Sequence, residues 1–252
     1  MFKMIYNIAR TELQMLFYSP VAWLILVVFG VQSGMLFADK LTGLLSSQEM
    51  GYNIEGSTIT IFANRWGGVF TTMQNYLYFY IPLLTMSLVS KELSSGSIRL
   101  LYSSPITNTQ IIVGKFFSMM IYGLIMIGIL FLITLCSWAV VKDFELSMVL
   151  TGLLGLYLLI CAYAAIGIFM SSLTSYQIVA AIGTFAVLMV LSMIGGWWQD
   201  YDFIRDVTYW LSMPGRSGKF IAGLICSEDV LYFVIVVCLF LALTIIRLNS
   251  VR

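Results

Sequence analysis

Apolar residues along this chain gather into six long stretches: Pro20–Phe37, Gly68–Ser90, Phe116–Val141, Met148–Met170, Gln177–Trp198 and Val230–Ile246. A helix needs about 20 apolar residues to cross the hydrocarbon core of a bilayer, so each stretch meets or approaches that length. None contains Asp, Glu, Lys or Arg. The pattern predicts an all-α integral membrane protein with six transmembrane helices, read as one domain over residues 1–252.

The segments between the runs carry their own periodicity. In residues 1–19, Phe2, Ile5, Ala9, Leu13 and Leu16 fall on one helical face, and Lys3, Asn7, Arg10 and Gln14 on the opposite one. That spacing predicts an amphipathic helix lying in the membrane interface, serving as an anchor or as a docking element, with Lys3, Arg10 and Glu12 as its candidate contacts. The first long apolar run begins only after Ser19 and no small-residue cleavage site follows, so a signal peptide is not expected.

Residues 91–110, KELSSGSIRLLYSSPITNTQ, form the most polar inner connection. Over Lys91–Ser103 a helix would gather Leu93, Ser97, Leu100 and Leu101 on one face and Glu92, Ser95 and Arg99 on the other. Pro105 cannot continue it and restricts Ser104. Thr107-Asn108-Thr109-Gln110 has capping-box spacing and restarts a helix into the third run. On periodicity alone this is either an ordinary loop or an element that passes a push from a partner into two spans.

Two connections on the other side are long. Ala38–Gly67 contains GSTITIF, which predicts a short strand. In Gln199–Asp229, apolar runs too short to cross, Phe203–Leu211 and Phe220–Cys226, flank Pro214-Gly215 and predict short outer or re-entrant helices before the sixth span. Ser227-Glu228-Asp229 places acids at the positive end of that last helix.

Composition agrees: 60% of the 252 residues are hydrophobic and 10% charged, where soluble domains average about 25% charged. A net charge of +1 argues against a nucleic-acid partner. The chain has no His, which removes the commonest base, metal ligand and proton relay; no metal site is expected. With no acid inside a span either, neither an intramembrane protease nor an ion-coupled carrier is expected, and catalytic residues are none. The four Cys lack CxxC spacing and read as buried thiols.

An even number of spans puts both termini on one side. That side holds Lys3, Arg10, Lys91, Arg99, Lys115, Arg247 and Arg252, leaving six of the 13 basic residues opposite. The small excess favours termini in the cytoplasm. Of the 12 acids only Glu12 and Glu92 share that side. Gly215-Arg216-Ser217-Gly218-Lys219 lacks P-loop spacing and faces outward, so the chain is not expected to hold nucleotide.

The motif order Glu92-Leu93, Gly96-Ser97-Ile98, Leu100-Leu101, Ser103-Ser104-Pro105-Ile106-Thr107 and Gly114-Lys115-Phe116 resembles the inner-loop signature of ABC-2-type transporter permeases. ARTELQMLFYSPVAWLILVVF (Ala9–Phe29), IPLLTMSLVSKE (Ile81–Glu92) and GKFIAGLICSEDVLYF (Gly218–Phe233) resemble that family's interface helix and first span, second span, and outer segment. The nearest branch is the gliding-motility permeases, with copper-enzyme maturation permeases close by. The resemblance implies that the inner loop is a coupling helix docking on a separate ABC ATPase. Glu92, Gly96, Arg99 and Pro105 would form its contact and hinge set, with Leu93, Ser97 and Leu100 in the same motif. Where many relatives carry a second acid before Glu92, this chain has Lys91. ATP and Mg would be bound by the ATPase, with no cofactor in this chain, and a second permease half, identical or related, would complete the channel.

The implied function is an exporter subunit in a bacterial inner membrane, moving an apolar, lipid-like or peptide substrate. Candidate path-lining residues are Gln74, Asn75, Thr85, Thr184 and Ser192; hydrogen bonding within the helices is the alternative for each. A non-transporting mechanical or scaffold subunit acting on an outer partner or lipoprotein is the rival reading.

Overall fold

The computed structural model describes residues 2–50, 57–64, 67–97, 107–140, 144–193 and 212–251. Among them no strand occurs, and the helices run α1 (Phe2–Tyr18), α2 (Pro20–Glu49), α3 (Val69–Thr85), α4 (Ser90–Ser95), α5 (Asn108–Val140), α6 (Leu146–Leu173), α7 (Gln177–Met193), α8 (Met213–Ile221) and α9 (Ser227–Val251). Four of these are long and apolar enough to cross a membrane, within α2, α5, α6 and α9. Helices α3 and α7 have 17 residues each, α7 being described only to Met193. The protein is therefore an all-helical, multi-pass membrane protein.

Helix α6 is the axis of the bundle. In its apolar window 72% of residues are buried, against 28–33% in the other three long helices. Helices α3, α5, α7, α8 and α9 all pack on it. Small residues make this possible: a Cβ on Gly152 would meet Phe70 Cδ2 at 2.8 Å, and one on Gly155 would collide with Phe220. Outward faces of α2, α5 and α9 stay apolar and exposed, as in Val28, Leu124 and Leu231. That is the expected surface for a chain solvated by lipid tails.

Several expected boundaries move. The first run extends as helix to Glu49. Thr42 and Ser46 return hydrogen bonds to Ala38 O and Gly43 O at 3.0 Å, so these polar residues continue the helix past Phe37. The second run ends as helix at Thr85, five residues early. The strand expected in GSTITIF is instead a wide helical turn, Ile59–Ala63. Ile61 and Phe62 are buried there, with Phe62 against Phe70 (4.9 Å between centroids) and Phe144; this packing overrides the strand preference of β-branched residues. Pro214-Gly215, between the two short apolar runs, lies in the first turn of α8. Ser212 Oγ accepts from Gly215 N–H at 3.3 Å, and proline loses no bond in a first turn. The outer segment expected at residues 199–211 lies outside the described residues.

Both ends of the chain meet at one end of the bundle. Asn108 Nδ2, opening α5, donates to Asn249 Oδ1, closing α9, at 2.6 Å, and α1 packs along the start of α5. At the opposite end, Thr58 Oγ1 accepts from Glu145 N–H at 3.3 Å, and Gln74 Nε2 donates to Pro214 O at 3.1 Å.

Candidate functional site

The expected capping box forms. Thr107 N–H donates to Gln110 Oε1 at 3.2 Å, and Gln110 N–H to Thr107 Oγ1 at 3.4 Å. It launches α5 at Asn108, so Gly114 and Lys115 lie inside a helix. A Cβ on Gly114 would meet Ile8 Cγ2 at 2.7 Å, so the glycine is what admits α1 this close. The inward face of α1 carries Ile8, Ala9, Glu12 and Leu16, and Glu12 is 7% exposed. A carboxylate in that stripe needs a partner. Lys115, 1% exposed, supplies it with Nζ 2.5 Å from Glu12 Oε1.

Glu92 completes the cluster. The chain leaves α3 at Thr85, whose side chain packs against Gly167 of α6. Ser171, one turn along α6, accepts the N–H groups of Val89 (3.1 Å) and Ser90 (3.0 Å) and donates to Met86 O (3.0 Å). Backbone polar groups freed between two helices are satisfied by one hydroxyl. Helix α4 then begins at Ser90 and carries Glu92 inward, where its Oε1 lies 2.7 Å from the same Lys115 Nζ. Burial holds the Glu92 carboxyl above its ordinary 4.5, with Lys115 opposing the rise and Glu12 adding to it.

Gly96 ends α4 in the left-handed region at φ 68°, where a side chain would be strained. The helix expected over Lys91–Ser103 is thus interrupted at Gly96, with α4 covering Ser90–Ser95, and residues 98–103 lie outside the described residues. The inner side of α4 includes Glu92, half-buried beside Leu93, so the two do not divide between inner and outer faces as the periodicity predicts. Ser97 follows the turn with its Oγ 2.9 Å from Ser95 Oγ. Arg99, Leu100 and Pro105 lie outside the described residues.

One lysine of α5 therefore binds two acids, one on the N-terminal helix and one on α4. Moving α4 must drag Lys115 or break its contact, and through Lys115 the motion reaches both α5 and α1. Above this cluster lies a cavity of about 380 Å³, between α1, the start of α2, the end of α3 and α4.

The profile of the ABC-2 family transporter protein matches residues 6–199, which span α1 to α7 and include the whole Glu12–Glu92–Lys115 cluster. This chain belongs to the ABC-2 transporter family. Comparison with curated proteins gives no match. As an ABC-2 permease it is a membrane subunit of an ABC transporter, and family membership implies an ABC ATPase partner.

In this permease the remaining expected residues are spread out. Lys3 and Arg10 are exposed on the outer side of α1. Gln74 is buried and ties α3 to Pro214. Thr85 donates to Ile81 O at 2.9 Å, Thr184 to Ala180 O at 2.7 Å and Ser192 to Met189 O at 2.7 Å, each within its own helix. Asn75 is exposed on α3. Helices α3 and α7, which carry all five, pack together through Tyr78, Phe79 and Phe185, the last two 5.0 Å apart at their centroids.

Sequence reasoning missed Lys115 as the hub and Ser171 as the clasp. A signal for the first existed: Glu12 falls three residues after Ala9 and four before Leu16, on the apolar face of α1. Ser171 had no such signal, since a serine near the end of an apolar run is ordinary.

At the far end of the permease a second charged cluster joins α8 to α9. Arg216 Nη1 contacts Asp229 Oδ1 at 2.6 Å, Lys219 Nζ lies 3.5 Å from Asp229 Oδ2, and the Arg216 guanidinium sits 4.4 Å from the Tyr232 ring centroid. The stretch that loosely resembles a P-loop is therefore a helix whose two cations face a carboxylate.

Proposed function

We infer that this permease subunit exports an apolar, lipid-like or peptide substrate, driven by a separate ABC ATPase that docks on α4 and the residues after it. The observation carrying this reading is the Glu12–Lys115–Glu92 cluster, which joins the docking element to a membrane helix and to the interface helix by ion pairs of 2.5 and 2.7 Å. ATPase closure would displace α4, and Lys115 would pass that displacement to α5.

In this reading the single domain has six spans, with α3 and α7 counted beside the four longer helices. The alternating passage of the chain between the two ends of the bundle supports the count. Both termini, α1 and α4 face the cytoplasm of a bacterium, and the membrane is its inner one. A second half, identical or related, completes the path, which the exposed face of α3 with Asn75 would line. ATP and Mg belong to the ATPase. The gliding-motility branch is the nearest one in motif order.

The test is co-purification in mild detergent from native membranes. Wild type is expected to bring down an ABC ATPase, and Glu92→Arg combined with Arg99→Glu to lose it. Wild type without an ATPase would sink the reading.

A second reading has its own support. Helix α2 has 30 residues, more than a span requires, and continues as helix past Phe37 through Asp39 and Lys40 to Glu49. Such an extension suits a mechanical or scaffold subunit that strains an outer protein or lipoprotein. ATP-dependent crosslinking of Lys40 to an outer protein, without solute flux in vesicles, would select it.

A further inference from the structure

The cavity above Lys115 has a distinctive lining. At its polar end stand Glu12, Glu92 and Lys115, with Lys91 also in the wall. Leu16, Val21, Ala22 and Leu83 form its apolar side. Each carboxylate uses one oxygen, Oε1, on Lys115. Among the described residues no donor bonds the second oxygen of either, and Lys91 has no acidic partner. A site with two carboxylate oxygens lacking a donor and one unpaired ammonium is asymmetric in charge but balanced in sum.

The apolar side does not end at the cavity. Val21, Val28 and Met35, spaced by seven, lie on one face of α2 and are all exposed, as are Leu83 and Phe79 on α3. The cavity thus opens along apolar helix surfaces, at the level where α1 turns through Ser19 into α2.

We propose that this cavity binds the headgroup of a zwitterionic aminophospholipid, with its ammonium on the second oxygens of Glu12 and Glu92, its phosphate toward Lys91 and its acyl chains along Val21, Val28 and Leu83. The chemistry discriminates among headgroups. A primary ammonium has N–H groups for both carboxylates, whereas trimethylammonium has none. A glycerol headgroup offers hydroxyl donors but brings no cation to the acids, and its net negative charge faces Glu12 and Glu92. Bound there, the lipid would bridge α1 to α4. The proposal stands whether or not an ATPase docks on α4.

The experiment uses the full chain, delipidated in detergent and titrated with short-chain phosphatidylethanolamine, phosphatidylcholine or phosphatidylglycerol, with adducts counted by native mass spectrometry. Phosphatidylethanolamine is expected to bind about tenfold tighter than either other lipid, the equivalent of one ion-paired hydrogen-bond set at about 1.4 kcal/mol per decade. Glu92→Gln keeps the Glu12–Lys115 pair and is expected to erase that preference. Ser87→Phe, which fills the cavity and leaves every charge in place, should erase it too, with phosphatidylglycerol adducts unchanged as the control for folding. Equal binding of the three lipids by wild type would overturn the proposal, and so would a preference that survives both variants. Water-soluble glycerophosphoethanolamine competing as well as the lipid would assign the site to a soluble amine and overturn the lipid assignment.

Discussion

The two ends of this permease solve one problem in opposite ways. At the far end, two cations of α8 share one acid of α9, and Arg216 and Asp229 stand 13 residues apart. At the terminal end, two acids share one cation, and the partners come from helices 103 and 23 residues apart in sequence. The first cluster closes a local turn between consecutive helices, with Asp229 1% exposed and an aromatic ring under the guanidinium. The second joins three elements that no local contact would hold together, and its Glu92 arm is one-fifth exposed. A buried pair resists loss because either partner alone is costly in low dielectric. An arm one-fifth exposed can be exchanged for water or for another cation at less cost than a fully buried one. The far cluster reads as a staple, and the terminal one as a joint with one releasable side.

Breaking the staple should have the largest effect. Asp229→Asn removes the carboxylate shared by Arg216 and Lys219, and about 3–5 kcal/mol of stability should go with it. The midpoint of unfolding in mixed detergent, followed by circular dichroism, measures this. Lys115→Met should come next, at about 3 kcal/mol, because buried Glu12 loses its cation while the methionine still fills the space. The same variant should uncouple ATP hydrolysis from the permease, which Asp229→Asn should not do per folded molecule; parallel loss in both would erase the contrast between joint and staple.

Ser171→Ala should cost about 1–3 kcal/mol, since the buried N–H groups of Val89 and Ser90 lose their acceptor. Hydrogen exchange at residues 86–92 should quicken while that of α6 stays slow. Glu92→Gln is the sharpest test of the releasable arm. Stability should change by less than about 1 kcal/mol, because Glu12 remains on Lys115, yet ATPase coupling should fall.

The smallest effect is that of pH. Burial raises the Glu92 carboxyl above 4.5, so the native state holds its proton more tightly than the unfolded chain does. The stability this group contributes is fully present below 4.5 and is lost as pH rises through its raised value. Its ion pair with Lys115 follows the opposite course and forms as the carboxyl ionises. Wild type should therefore lose stability relative to Glu92→Gln as pH rises from about 4 toward neutrality. A gap that stays flat across that range would show that burial of Glu92 is not what governs it.

Much of the fold was legible because a lipid-solvated helix must be apolar for about 20 residues. Each of the six apolar runs overlaps one of the helices α2, α3, α5, α6, α7 and α9. The capping box at Thr107–Gln110 was legible for a related reason, since both partners lie within one turn. Helix ends were less so. Hydroxyls such as those of Thr42 and Ser46 read as loop-forming, but folding their bonds back onto the preceding turn leaves a helix intact. The break at Thr85 owes its satisfaction to a hydroxyl 81 to 85 residues away, a distance no periodicity reports. The same holds for the joint: Glu92 and the Gly-Lys-Phe motif stood out separately, and only the packing of Gly114 on Ile8 brings Glu12 to Lys115.

The unbroken length of α2 has a consequence of its own. Thirty residues of helix make a rod of about 45 Å at 1.5 Å per residue. Its near end begins at the Ser19 bend, beside the helix that Lys115 holds. A tilt of about 10° there sweeps the far tip through about 8 Å, by the geometry of a rod of that length. Were the first long helix to tilt as one rigid rod, an ångström-scale movement beside Ser19 would become a displacement several times larger at its Glu49 end.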